Sequence, residues 1–115
     1  MTPKFLDCGP DQNDKIINEL CEIHAIKDDR EFPEIPFRRF TFGTCQGLYR
    51  IVPNRIELLA VLNNNPGNGH FVKLLWHFEN IGKPFLIIDC HDRLADFLRR
   101  RKYQPIGKTH FLFLP

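Results

Sequence analysis

Residues 56–88 read IELLAVLNNNPGNGHFVKLLWHFENIGKPFLII, and the fold turns on them. Residues 56–62 are apolar apart from Glu57, the pattern of a central strand covered on both faces. Phe71, Leu74, Leu75 and Phe78 then recur at i, i+3, i+4 and i+7, which predicts a helix over 70–81. Gly82 stands where such a helix stops. KPFLIIDC, 83–90, is a short, strongly apolar second strand. Strand, helix and strand in succession form a βαβ crossover, so the two strands run parallel.

Upstream, FRRFTFGTC, GLYRIVPN and RIELLAVLN are rich in β-branched and aromatic residues. They predict three sequential antiparallel strands, with Gly47 and the Pro53-Asn54 pair at the turns. From Asp14, DKIINELCEIHAI places Ile16, Ile17, Leu20 and Cys21 at helical spacing. Residues 1–12, with two prolines and a glycine, read as an irregular lead-in. Downstream, HDRLADFLRRRKY predicts a helix with Leu94, Phe97 and Leu98 inward, and YQPIGKTHFLFLP one or two strands. The result is an α/β chain: a mixed sheet with helices on both faces.

Composition adds limits rather than a function. The 115 residues suit a single domain, with 1–55 holding the first helix and strands and 56–115 the crossover and the C-terminal elements. Hydrophobic residues at 43% and charged residues at 26% are ordinary for a globular chain, and 11 phenylalanines predict an aromatic core. A formal charge of +2 argues against a dedicated nucleic-acid binder. Phe37, Phe40 and Phe42 among the arginines are more simply core than base-stacking residues. No apolar run is long enough for a membrane helix, and the first residues lack a signal-peptide pattern, so a soluble cytoplasmic protein is expected. The four cysteines show no CxxC pair, and Cys21 with His24 lacks a second ligand pair, so neither disulfide nor metal is expected.

The chemistry concentrates at the joint between strand and helix, Asn64-Asn65-Pro66-Gly67-Asn68-Gly69-His70. Glycines two apart let the backbone adopt positive φ and approach a ligand closely. The next helix presents unpaired N–H groups and the positive end of its dipole, which suits a phosphate or pyrophosphate. A P-loop GxxxxGK[ST] is absent, and a GxGxxG dinucleotide fingerprint fails at Val72.

Strand, glycine joint and helix together resemble the GNAT superfamily of N-acyltransferases, whose acyl-CoA signature is Q/R-x-x-G-x-G/A. The chain reads N-x-x-G-x-G from Asn64 to Gly69. A second family segment, N-x-x-A-[AI]-x-x-Y-x-x-x-G-F, is similar in spacing. His91 falls on its Asn, Leu94 on the small residue, Leu98 on the Tyr, Lys102 on the Gly and Tyr103 on the aromatic. The resemblance implies a mostly antiparallel sheet with a central parallel pair splayed around the cofactor. It also implies acetyl-CoA or another acyl-CoA as donor and an amine as acceptor. Backbone N–H groups of Gly67, Asn68, Gly69 and His70 would hold the pyrophosphate. The strand edge at 58–63, with Leu62, Asn63 and Asn64, would hold the pantetheine arm, and His91 would stand near the pantetheine or the sulfur as a cofactor-binding and candidate catalytic residue. Glu57 resembles in place the carboxylate some members use as base, and Arg99 to Lys102 would reach the 3′-phosphate or a partner.

Two departures matter. Leu98 replaces the tyrosine that can protonate the leaving thiolate, and the region that normally shapes the acceptor site is short. The alternative is a GNAT-like fold that has lost catalysis and binds CoA or protein. Glu57 then becomes a surface residue at a strand entrance, Cys90 beside His91 a core thiol, and Arg99 to Lys102 a solvated helix end. Self-association is compatible with either alternative.

Overall fold

Among the described residues, seven strands form one sheet in the order β1-β2-β3-β4-β5-β7-β6. They are β1 (Phe5–Pro10), β2 (Arg38–Phe42), β3 (Cys45–Val52), β4 (Arg55–Asn63), β5 (Phe85–Ile88), β6 (Gln104–Ile106) and β7 (His110–Phe113). Helix α1 (His70–Glu79) comes after β4 and α2 (Asp92–Arg100) after β5. The structure is a computed structural model and describes residues 3–10, 32–88, 90, 92–107 and 109–115. The helix expected from Asp14, with Cys21 and His24, lies outside the described residues, as does His91.

The crossover is as the periodicity requires. β4 and β5 are parallel, and every other neighbouring pair is antiparallel. β4 is fourth of seven, and Ile56, Glu57, Leu58 and Leu59 are all buried. The described chain is therefore a mixed α/β fold with a mostly antiparallel open sheet, one parallel pair and two helices.

Both helices pack on the same face. Leu74, Leu75 and Phe78 of α1 and Ala95 and Leu98 of α2 share a core with Phe40, Phe42, Tyr49, Ile56, Leu58, Phe85, Ile87 and Phe111. Fully burying a side chain of this size contributes roughly 1.5–3 kcal/mol, so this face dominates stability. The opposite face carries a smaller cluster of Phe37, Leu48 and Leu59. Among the described residues helices lie on one face only, and the helix expected from Asp14 falls outside them. Leu94 and Phe97, expected inward, are only partly buried against the core.

Two expectations are corrected. Residues 1–12 are not an irregular lead-in, because Phe5–Pro10 pairs antiparallel with β2. A register shift between Asp7 and Gly9, with Gly9 at φ 97, takes up the glycine, and Pro10 sits at the strand end on the sheet's edge. Gly47 is not a turn. The β2–β3 hairpin closes at Gly43-Thr44, with Phe42 opposite Cys45 and Gly43 at φ 59.

Gly47 lies inside β3, where the β3–β4 register jumps from Gln46↔Leu62 to Leu48↔Leu59. β4 therefore carries one extra residue, Ala60 and Val61 together facing Gly47. Such a bulge bends its strand.

Candidate functional site

The bulge sits where the sheet opens. β4 and β5 pair from Ile56↔Phe85 to Leu59↔Ile88, and β4 then continues through Ala60–Asn63. Over those four residues β4 keeps its partner β3 at Gln46↔Leu62 and Cys45↔Asn63 but has none on the β5 side among the described residues. Beyond β5 the chain turns to β7, with the Cys90 N–H donating to the Thr109 carbonyl at 2.7 Å. No described residue pairs with the β4 backbone of 60–63 on that side, and Leu62 is 54% exposed.

β4 runs directly into the glycine joint. Gly67 and Gly69 have φ of 91 and 80, conformations that L side chains rarely adopt. No atom lies within 4 Å of the place a Cβ would take on either residue, so the backbone there is open to approach. The N–H groups of Gly67, Asn68 and Gly69 have no acceptor among the described residues. α1 begins immediately after them with no acidic residue in its first turn, so its positive end is uncompensated. An anion is the ligand this geometry accommodates.

His70 departs from the expectation that its N–H faces the ligand. That N–H donates to Oδ1 of Asn68 at 3.0 Å, and its ring points back into the protein. Nδ1 accepts from the Thr44 N–H at 3.0 Å, which places the ring proton on Nε2. The Thr44 hydroxyl accepts from Nδ2 of Asn68 at 2.8 Å and donates to Oδ1 of Asn63 at 2.7 Å. Oδ1 of Asn63 also accepts from the Asn65 N–H at 3.1 Å, and the Asn64 N–H donates to the Thr44 carbonyl at 2.9 Å. The joint is thereby tied to the β2–β3 turn. A Cβ on Gly43 would run into the His70 ring, so glycine is required there for space as well as for its φ.

Glu57 lies two residues, about 7 Å of strand, before the last β4–β5 pair, on the face away from the helices. It is not the surface residue of a strand entrance, since only 2% of it is exposed. Arg50 donates to Oε1 and Arg55 to Oε2, each from Nε at 2.6 Å. Both carboxylate oxygens are therefore already engaged. Arg50 also donates to the carbonyls of Phe32 and Ile35 at 2.9 and 3.0 Å and lies over the Phe37 ring.

The remaining candidates disperse. Leu98, at the family's tyrosine position, is fully buried core. Cys90 is 6% exposed and packed in the same cluster. His77 stacks on Phe5 at 4.7 Å, and burial lowers its pKa. Arg101 and Arg99 are already paired, with Glu79 and Asp96 respectively. Arg101 meets α1 at its last residue, about 15 Å of helix from the joint, so the basic run is not assembled with the glycines.

Thr44 was not legible as part of the site. A two-residue Gly-Thr turn between aromatic strands was the available signal. Among the described residues no three His, Cys, Asp or Glu side chains gather as metal ligands, and no helix is long and apolar enough to cross a membrane. No family model, curated protein or solved structure matches the chain.

Proposed function

We propose that the chain is a small acyl-CoA-binding protein of the GNAT type, moving an acetyl or other acyl group from the thioester to an amine by direct transfer. One observation carries this. β4 carries its bulge at the point where pairing with β5 ends, and its edge, unpaired on that side among the described residues, runs into a glycine joint whose N–H groups lack acceptors among them. An extended pantetheine arm would lie against residues 60–63 as an added strand does, with the pyrophosphate against Gly67, Asn68 and Gly69. The mostly antiparallel sheet with its central parallel pair is the arrangement the resemblance implies.

Transfer needs a base for the amine and a stabiliser or acid for the departing thiolate. Glu57 is the one carboxylate that β4 carries, two residues before its pairing with β5 ends. To take a proton it must release a guanidinium, and Arg55, 20% exposed, is the more exposed of the two. Leu98 donates no proton, so the thiolate would be protonated by solvent or by another residue.

Those same observations favour a second reading, a fold that binds CoA without turnover. Calorimetry with CoA and acetyl-CoA tests what the two share, and absence of heat with both would reject them together. Thiol release across a panel of amines, peptides and aminoglycosides then separates them. Turnover abolished by Glu57→Gln, with CoA affinity intact, selects the enzyme.

A further inference from the structure

We propose that Thr44 is a positioning residue for the glycine joint, acting from the β2–β3 turn through Asn63, Asn68 and His70; the inference rests on the joint being the anion site proposed above. Four polar links converge on this one residue. Its N–H reaches the His70 ring, its carbonyl accepts from Asn64, and its hydroxyl serves Asn68 and Asn63 at once. Asn68 in turn holds the His70 N–H and Asn63 holds that of Asn65. The side chains of Asn63, Asn68 and His70 thus each hold the scaffold through at least one atom. The backbone N–H groups of Gly67, Asn68 and Gly69 stay without an acceptor among the described residues.

The arrangement has a physical purpose. Two glycines in a six-residue connection lose more conformational freedom on ordering than other residues, so an untethered joint would resist the single conformation an anion needs. Tethering at 63, 64, 68 and 70 fixes the joint on both sides of Gly67 and at both ends of Gly69. The preference for uncharged Asn and His has the same origin, since a carboxylate at 68 would still accept from the His70 N–H but would repel the anion. Thr44 touches no ligand and acts through the others.

Thr44→Val removes the hydroxyl and keeps the shape, while Thr44→Ser keeps the hydroxyl. Backbone ¹⁵N relaxation of the ligand-free proteins is expected to show the Gly67, Asn68 and Gly69 amides as rigid in wild type and Thr44→Ser, with order parameters of about 0.85. In Thr44→Val they are expected to fall below about 0.6. CoA affinity is expected to drop roughly tenfold in Thr44→Val, as for two lost hydrogen bonds, and to be retained in Thr44→Ser. Unchanged amide motion in Thr44→Val overturns the inference whether or not CoA binds. So does wild-type affinity in a Thr44→Val protein. If wild type binds no CoA while the Thr44→Val amides loosen, positioning by Thr44 stands and the acyl-CoA reading falls.

Discussion

Arg50 and Glu57 face each other directly across β3 and β4 and join Nε to Oε1 at 2.6 Å, with 1% and 2% of their side chains exposed. Few charges are buried this completely unless paired, and each here has further partners. Arg50 carries the segment containing Phe32 and Ile35 on its other nitrogen, so the pair fastens an irregular stretch to the middle of the sheet. Its position two residues before the β4–β5 separation makes it a rigid anchor beside the opening.

Removing one partner leaves the other charge buried. Glu57→Ala is expected to destabilise the fold by about 3–5 kcal/mol in urea denaturation. The double substitution Arg50→Met/Glu57→Leu should recover a large part of that loss. A single Glu57→Ala cost below about 1 kcal/mol would show that the pair is not closed to solvent.

At the joint, Gly69→Glu is expected to bring CoA binding below detection by calorimetry while the protein still folds. Nothing stands where the new Cβ would be, so steric damage within the protein is small. The strain of positive φ costs about 1–2 kcal/mol, and the carboxylate repels the anion. Gly69→Ala, carrying strain without charge, should retain measurable affinity.

Lys102 is expected to be better as glycine. It closes α2 in a Schellman arrangement, with its N–H donating to the Arg99 carbonyl at 3.0 Å and the Tyr103 N–H to that of Leu98 at 2.9 Å. The geometry holds Lys102 at φ 68, the left-handed region. Relief of that strain, less the greater freedom of glycine in the unfolded chain, predicts a gain of about 0.5–1 kcal/mol for Lys102→Gly. Urea midpoints of the two proteins measure it.

Asp7 should shape the acid limb of stability. Its Oδ2 accepts from Arg38 at 2.6 Å and from the Tyr49 hydroxyl at 2.8 Å, and Oδ1 from the Gly9 N–H at 2.7 Å. The Arg38 hydrogen bond, then that from Gly9, holds its pKa down to about 2. A lowered folded-state pKa stabilises above the unfolded value of 3.8 and stops doing so as pH falls toward 2. Thermal melts of wild type and Asp7→Asn should therefore differ at pH 5 and converge by pH 2. Asp7 is partly exposed, so the difference should also shrink in high salt.

The β4–α1–β5 unit was readable because each piece carries its own period, and the joint because a glycine- and asparagine-rich run separates a strand pattern from a helix pattern. β1 was not, since FLDCGP has one large inward side chain and both helix and strand breakers. Phe5 is held there by rings distant in sequence, Phe40 at 5.2 Å and Phe78 at 5.5 Å. Gly43 and Gly47 are both credible turns locally, and the choice belongs to the pairing of Phe42 with Cys45. The pairing of Glu57 with Arg50 likewise depends on register, which one strand alone does not reveal. Thr44 meets Asn68 and His70 across sequence separations of 24 and 26, only once the chain between them has folded.

The extra residue in β4 also changes which side chains count as odd and even. Before it, Ile56 and Leu58 face the helices; after it, Val61 packs on that same core, with Leu62 turned outward. Parity along the strand has been switched by a single unit, and a strand has only two settings. Deleting one codon between 59 and 62 would restore uninterrupted alternation, straighten β4 and allow it to zip against its parallel neighbour. Whether β4 parts from β5 or runs on beside it is therefore a binary property, set by whether that stretch holds one residue more than its partner strand.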